Sequence, residues 1–351
     1  MNLQELIARI AALDAAAMQA AASRQDRLTK PRASLGRLED LSVQIAGITG
    51  NPMPRLEKKA VFVMAGDHGV VEEGVSAYPQ DVTRQMVLNF VQGGAAINVF
   101  ARQAGARVVV VDMGVASDLP ADSGVIIRKI GRGTADLAKG PAMTGEQAVA
   151  SILAGAQVVE EHIAQGLDII ATGDMGIGNT TPSTAIAAVL CELPVESIVG
   201  RGTGVDDDGL RRKQSAIRQG LELNHPDRRD GLDVLAKVGG FEIGGLAGAI
   251  LAAAAHRKPV VIDGFISTAA ALVAVCLAPA ARDYMIAAHV SQEQGHRAML
   301  NWLRLEPLLD LRMRLGEGTG AVLAMHVVDA ACRALTDMAT FDEAGVSEKD
   351  D

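Results

Sequence analysis

Near the end of the chain a single carboxylate stands among three glycines, in Leu315-Gly316-Glu317-Gly318-Thr319-Gly320. A helical apolar pattern over residues 321–335 follows at once. Glycine lets backbone approach a ligand closely, and the missing side chains leave Glu317 clear of its neighbours. A glutamate so placed can take a proton as a general base. It can equally sit there because negative charge is favoured at the start of the next helix. The local sequence leaves both readings open.

A second constellation is Gly173-Asp174-Met175-Gly176-Ile177-Gly178-Asn179-Thr180-Thr181-Pro182-Ser183. It lies between an apolar run that reads as a buried strand and a helix expected over Thr184–Leu190. Glycines let several N–H groups converge on an anion, the helix start adds positive potential, and the hydroxyl and amide side chains add hydrogen bonds. The chemistry is that of a phosphate cradle. It is not a P-loop, since no Gly-Lys-Ser/Thr closes it, nor a dinucleotide fingerprint, since the glycine spacing differs. An ordinary glycine-rich turn is the competing reading.

A third loop, Val199-Gly200-Arg201-Gly202-Thr203-Gly204-Val205-Asp206-Asp207-Asp208, runs into a helix bearing Arg211, Arg212 and Lys213. Consecutive aspartates rarely converge on one ion, so one of them is expected to cap the helix. Lys213 can reach a phosphate as a point charge or remain an exposed helix lysine. Gly239-Gly240-Phe241-Glu242-Ile243-Gly244-Gly245 heads an Ala/Gly-rich helix, where small residues suit tight helix–sheet packing. No His-Glu-x-x-His or Gly-x-Ser-x-Gly occurs, and no histidines pair at metal spacing, so no metal is assigned.

The elements that must position these residues repeat one pattern. Apolar strand runs at Ala60–Ala65, Arg107–Val111, Leu167–Ala171, Pro259–Ile262 and Tyr284–Ala288 end in polar residues and lead towards helices. Five such units predict an α/β fold with a doubly wound, mostly parallel, Rossmann-like sheet. Ligands bind outside the carboxyl ends of such strands, where Asp67, His68, Asp112, Asp174, Asp263 and Ser291 fall. Before the first strand come helical patterns over 1–24 and 38–48, so a small helical domain is expected from segments 1–58 and 301–351, around an α/β domain at 59–300. The acidic tail from Asp342 reads as disordered.

Composition narrows the partners. The 351 residues are 49% hydrophobic and 21% charged, which marks a globular chain, and aromatics at 3% leave the core to aliphatic residues. A formal charge of −9 argues against nucleic acid. Cys191, Cys276 and Cys332 sit in apolar runs and read as small buried hydrophobes of a reducing cytoplasm. Glu5, Arg9 and Asp14 interrupt the N-terminal run that a secretory signal requires. The apolar runs Ile243–Ala255 and Phe265–Ala281 read as buried helices, so no membrane partner is expected.

Four segments taken together resemble the nicotinate-nucleotide:dimethylbenzimidazole phosphoribosyltransferase family of cobalamin biosynthesis. They are Ser34–Leu41 (SLGRLEDL), Ala65–Val70 (AGDHGV), Gly173–Ala185 (GDMGIGNTTPSTA) and Leu315–Ala321 (LGEGTGA). The likeness runs from about Lys30 to about Leu335, in one order. One departure is visible: the family usually reads Gly-Glu-Met-Gly where this chain has Asp174. The resemblance implies transfer of the phosphoribosyl group of nicotinate mononucleotide to 5,6-dimethylbenzimidazole, without cofactor or metal, by a homodimer. It implies Glu317 as general base. Gly176, Gly178, Asn179, Thr180 and Lys213 would hold the 5′-phosphate, with Asp174, Asp263 and Ser291 at the nucleotide. Ser76, Gln85 and Leu315 would line the benzimidazole pocket.

Three other classes stay in view. A nicotinamide-dinucleotide oxidoreductase requires a glycine fingerprint after the first strand, and Gly66-Asp67-His68-Gly69 is not one. A pyrophosphate-dependent phosphoribosyltransferase wants two adjacent acids after an apolar strand, and Asp112-Met113 supplies one. A non-catalytic nucleotide-binding protein would keep the phosphate loop and have no use for Glu317.

Overall fold

The computed structural model describes residues 2–347. Its centre is a sheet of strands β1 (Lys59–Gly66), β2 (Ala106–Gly114), β3 (Ile126–Ile127), β4 (Ile169–Met175), β5 (Val260–Ile262) and β6 (Met285–Ala287). Their order is β3-β2-β1-β4-β5-β6, and every neighbouring pair is parallel. The sheet among the described residues is therefore wholly parallel rather than mostly so. Ala60 to Ala65 in β1 are each 0% exposed. Side chains alternate between faces along a strand, so helices must cover both sides of the sheet. Strand β3 has no counterpart among the five expected units, because two edge residues are too short to leave an apolar run.

The winding direction reverses between β1 and β4. The order places β2 and β3 on one side of β1, and β4, β5 and β6 on the other. The carboxyl ends on that second side carry Asp174, then Asp263 and Gly264 after β5, then His289 and Ser291 after β6. A switch point of this kind opens a crevice at the strand ends.

Several expected elements differ in detail. The N-terminal helix is two, Leu3–Ala8 and Ala15–Arg27, because Asp14 caps the second by accepting from the Ala17 N–H. The helix after the phosphate loop begins at Thr180, not Thr184, since Pro182 is tolerated in a first turn. Asp206 is the aspartate that caps its helix, accepting from the Gly209 N–H at 2.7 Å. Cys191 and Cys276 are only half-buried, and Cys332 is buried. Burial pushes the Cys191 and Cys332 thiols up to about 12, so neither is a ready nucleophile.

The two chain ends clasp each other. Helix Arg37–Thr49 packs against Ala15–Arg27 and against Thr319–Asp337, and the last of these also lies on β4 and β5. Arg24 donates to the Leu335 and Met338 carbonyls. The start of the acidic tail is ordered, against expectation: Phe341–Ala344 is a capped helical turn, held by Arg24–Glu343 and Arg27–Asp342 ion pairs at 3.3 and 3.1 Å. Residues 348–351 lie outside the described residues. Helix His296–Leu303 spans the boundary expected at residue 300. Among the described residues no helix is long and apolar enough to cross a membrane.

The glycines after Gly240 serve packing between helices as well as against the sheet. Helix Phe241–Ala255 lies so close to Gly145–Ile163 that a Cβ on Gly248 would run into the Ile152 carbonyl oxygen, and one on Gly155 into that of Gly245. Neither contact is with a flexible side-chain end, so a methyl forces the helices apart. Gly248→Ala is expected to cost about 1–3 kcal/mol by overpacking. Thermal melting should show a clear drop in Tm for Gly248→Ala and little change for Gly140→Ala, where a Cβ meets nothing within 4 Å.

Candidate active site

A cavity of about 440 Å³ opens at the carboxyl ends of β4, β5 and β6. One wall is the end of β4 and its loop, from Asp174 to Thr180. A second is Gly264, Phe265 and Ile266 after β5 with His289, Ser291 and Glu293 after β6. The third is the strap Arg314–Glu317, and Tyr78, Val82 and Met86 close the side. A larger hollow of about 730 Å³ lies elsewhere, along residues 133–147 and 230–241. Its charges are already committed: Lys237 pairs with Asp233 at 2.8 Å, and Asp230 caps a helix. The polar groups of the glycine loops and the strap converge on the smaller cavity.

Glu317 is held in an uncommon backbone state. Its φ is +64°, flanked by Gly316 at +82° and Gly318 at +88°. A non-glycine residue in this region carries strain and persists only where the surroundings enforce it. Here the enforcement is contact with the sheet. A Cβ on Gly318 would lie 2.5 Å from a Val61 methyl and 3.0 Å from the Thr172 carbonyl oxygen. Asp263, buried at the end of β5, adds the anchor. Its two carboxylate oxygens accept from the N–H of Ala321 at 2.8 Å and of Gly318 at 3.2 Å. Asp263 thus takes the capping role for helix Thr319–Asp337 that the sequence left open for Glu317.

Glu317 is free to face the cavity, and the residue is 6% exposed. Its Oε2 accepts from the Ile97 N–H at 3.4 Å, at the start of a different helix, Ala96–Ala104. Burial raises its affinity for a proton above the ordinary carboxyl value; the Ile97 amide opposes this and the Asp263 charge adds to it. Such a group is a better proton acceptor than a free carboxylate and is still ionised near neutrality only if the shift is moderate.

The loop after β4 runs from the strap, where a Cβ on Gly316 would lie 3.3 Å from the Asp174 carboxylate, towards Thr180 and Lys213. Asn179 donates through Nδ2 to Asp174 Oδ2 at 2.9 Å, so its side chain does not cap the helix it precedes. Lys213 is 0% exposed, not an exposed helix lysine. Its Nζ donates to Thr180 Oγ1 at 2.7 Å and to the Gly200 carbonyl at 3.1 Å. It forms no ion pair among the described residues. Burial lowers its pKa to about 8, with the Glu293 charge acting against that. A buried cation bonded only to neutral groups is a place for an anion.

Two buried histidines brace this floor. His68 Nε2 meets Glu242 Oε1 at 2.9 Å, directly behind Gly176, where a Cβ would touch His68 Nε2 at 3.3 Å. Burial alone would lower the His68 pKa, but Glu242 outweighs it and raises it. His296 accepts from the Ser291 N–H at Nδ1, 2.8 Å, and burial drives its pKa down to about 3. A neutral ring that accepts at Nδ1 carries its proton on Nε2, towards Thr268 Oγ1 at 2.8 Å.

Of the twelve residues given a role by the family resemblance, seven line the cavity: Asp174, Gly176, Asn179, Thr180, Ser291, Leu315 and Glu317; the strand-end candidates Asp67, His68 and Asp112 do not. Nor do the other five of the twelve. Lys213 and Gly178 lie behind the loop, and Asp263 lies under the strap. Ser76 faces Thr203, its Oγ 3.2 Å from Thr203 Oγ1. Gln85 points to solvent and bonds Asp81 at 2.6 Å. The wall also includes Tyr78, Thr203, His289, Glu293 and Arg314, none of which was singled out. Among the described residues no three His, Cys, Asp or Glu side chains converge as a metal-ligating group.

A family model described as "Phosphoribosyltransferase" (DBI_PRT) matches residues 10–346. The chain belongs to this family. A nicotinate-nucleotide–dimethylbenzimidazole phosphoribosyltransferase of Roseiflexus sp. (strain RS-1) is 63% identical over 347 residues, 99% of this chain and 98% of that protein. One of the same name from Desulforudis audaxviator is 61% identical over 346 residues, again 99% and 98%. The crystal structure of CobT from Thermus thermophilus superposes with a TM-score of 0.92 at 52% identity, covering 95% of this chain and 100% of that one.

The acids of this family member's cavity influence one another. Burial first, then the Asp263 charge, raises the Asp174 pKa to about 8, against 3.8 for an ordinary aspartate, while Asn179 pulls it down. The folded state thus holds a proton that the unfolded chain has lost between those two values. The favourable contribution is complete below about 3.8 and is lost as pH rises through about 8. Asp174→Asn removes the ionisation. Its Tm should match wild type at acid pH and exceed it increasingly as pH rises towards 8, by differential scanning fluorimetry. A constant difference at all pH values would contradict this.

Proposed function

We propose that this chain transfers the phosphoribosyl group of nicotinate mononucleotide to 5,6-dimethylbenzimidazole, giving α-ribazole 5′-phosphate and nicotinate. Membership of the family and the names of its relatives support the reaction. The observation that carries the reading here is a cavity lined by Asn179 and Thr180, with buried Lys213 bonded to Thr180 behind them, and with the buried carboxylate of Glu317 on another wall. Apolar groups, Val82, Met86, Phe265, Ile266 and Leu315, cover what lies between, which suits a flat and mostly apolar base.

In the mechanism we infer, the lone pair of one benzimidazole nitrogen attacks the ribose anomeric carbon. The bond from that carbon to the pyridinium nitrogen breaks, its electrons return to the ring, and nicotinate leaves. The other ring nitrogen becomes acidic as the first is alkylated, and its proton passes to Glu317. Attack opposite the departing ring turns the β nucleotide into an α product. Gly176, Gly178, Asn179, Thr180 and Lys213 hold the 5′-phosphate, with Asp174 and Ser291 beside the nucleotide. Asp263 acts through the strap, and Ser76 acts through Thr203. Gln85 reaches the base only by leaving Asp81. No cofactor takes part. A homodimer is inferred from the family resemblance, and a cytoplasmic location from three free cysteines.

Chromatography of reactions containing both substrates tests this directly. Wild type should form α-ribazole 5′-phosphate, and Glu317→Ala should lose roughly a hundredfold or more, the scale of a general base. Folded wild type that binds the nucleotide but forms no product would instead favour a non-catalytic nucleotide-binding protein.

A further inference from the structure

Arg314 lies on the same strap as Glu317, three residues before it. It is exposed, lines the cavity, and is the only lysine or arginine among the described residues that does so. The acids of the wall, Asp174, Glu293 and Glu317, are all potential negative charges. Arg314 forms no ion pair among the described residues. Its one hydrogen bond there runs from Nη1 to the Gly202 carbonyl at 3.0 Å. Gly202 sits over the anion floor: a Cβ there would lie 2.6 Å from Thr180 Oγ1 and 3.2 Å from Lys213 Nζ. One guanidinium nitrogen is therefore tethered to the loop that covers Thr180 and Lys213, and the remaining N–H donors have no partner among the described residues.

We propose that Arg314 is a phosphate clamp, which closes over the 5′-phosphate from the other side of the Gly202 loop to Lys213 and thereby seats the Glu317 strap. The inference rests on the transfer reading above. A nucleotide phosphate brings nearly two negative charges at neutral pH into a cavity with buried Lys213 behind its Thr180 wall. A planar guanidinium offers two parallel donors to phosphate oxygens, which a lysine does not. Positive φ at Arg312, Gly316, Glu317 and Gly318 shows the strap is bent into one path rather than extended. Arg314 sits on this bent path two residues before Gly316, so seating it fixes where the turn into Glu317 begins. Phosphate contact is then used for positioning the base as well as for binding.

The test compares three donors with wild type, Arg314→Gln and Arg314→Lys: nicotinate mononucleotide, nicotinate riboside and nicotinamide mononucleotide. Arg314→Gln should lower kcat/KM roughly 10- to 100-fold for both mononucleotides, the effect of losing hydrogen bonds to a charged group, with part of the loss in kcat. The riboside, which lacks phosphate, should change little, so discrimination between mononucleotide and riboside narrows. Arg314→Lys should fall between, keeping charge without the fork. Equal losses for riboside and mononucleotide would overturn the clamp, as would losses confined to the nicotinate donors, which would put Arg314 on the ring carboxylate. If wild type turns over none of the donors, the transfer reading fails and calorimetry with ribose 5-phosphate still decides. Weaker binding by Arg314→Gln supports the clamp, and equal binding overturns it.

Discussion

The buried Asp263 carboxylate, bonded to the amides of Gly318 and Ala321, is the contact on which the site depends. It joins the end of a sheet strand to the start of the helix Thr319–Asp337, the long element contributed by the C-terminal end of the chain. The intervening glycines press the strap onto β1 and β4 without a gap, so the backbone of Glu317 has no alternative path. Because Asp263 satisfies the helix start, Glu317 need not, and its carboxylate turns outward to the cavity. A buried anion is costly unless several donors compensate it, and here the compensation comes from the very segment that must be held still.

The cavity has a chemical gradient. At one end an uncompensated lysine and the N-terminal turn of helix Thr180–Leu190 favour an anion. On the strap side, acids crowd together and raise each other's proton affinity. Asp174 and Glu317 both shift upward, chiefly through burial. An ionised Glu317 with raised proton affinity can accept a proton, while Asp174, held towards its neutral form, adds little standing charge beside it. The floor between is braced by neutral His296 and by the His68–Glu242 pair, which fix Ser291 and Gly176 without entering the cavity.

Much of this was legible in the chain. Continuous apolar runs named five of six strands, because a strand buried on both faces leaves no polar alternation to confuse it. The glycine loops at 173–183 and 315–320 were legible because glycine marks close backbone approach, here of the strap to β4 and of the loop to the end of β1, as it does between helices at Gly155 and Gly248. The exceptions share a cause, namely that they depend on which distant segment lies opposite. Nothing local distinguishes Lys213 from the arginines beside it, yet it is fully buried and they are exposed. Asp263 stands at a strand end, and its sequence surroundings do not show that it caps a helix more than fifty residues away. Arg314 precedes the glycine-flanked motif and gains meaning only through Gly202. The break near Asp14 shares the cause only in part, since its cap on the Ala17 N–H is local and its own N–H is held by the distant Gly47 carbonyl at 2.9 Å.

The central claim is that a buried, strap-held Glu317 accepts the proton of the incoming base. The pH dependence of kcat/KM, compared between wild type and Glu317→Gln, tests it most directly. The carboxyl holds its proton more tightly than the ordinary value of 4.5, and a base works only when ionised. Wild-type kcat/KM should therefore fall on acidification along a limb centred above 4.5, and the residual activity of Glu317→Gln should lack that limb. An acid limb that persists unchanged in Glu317→Gln would show that another group carries the proton.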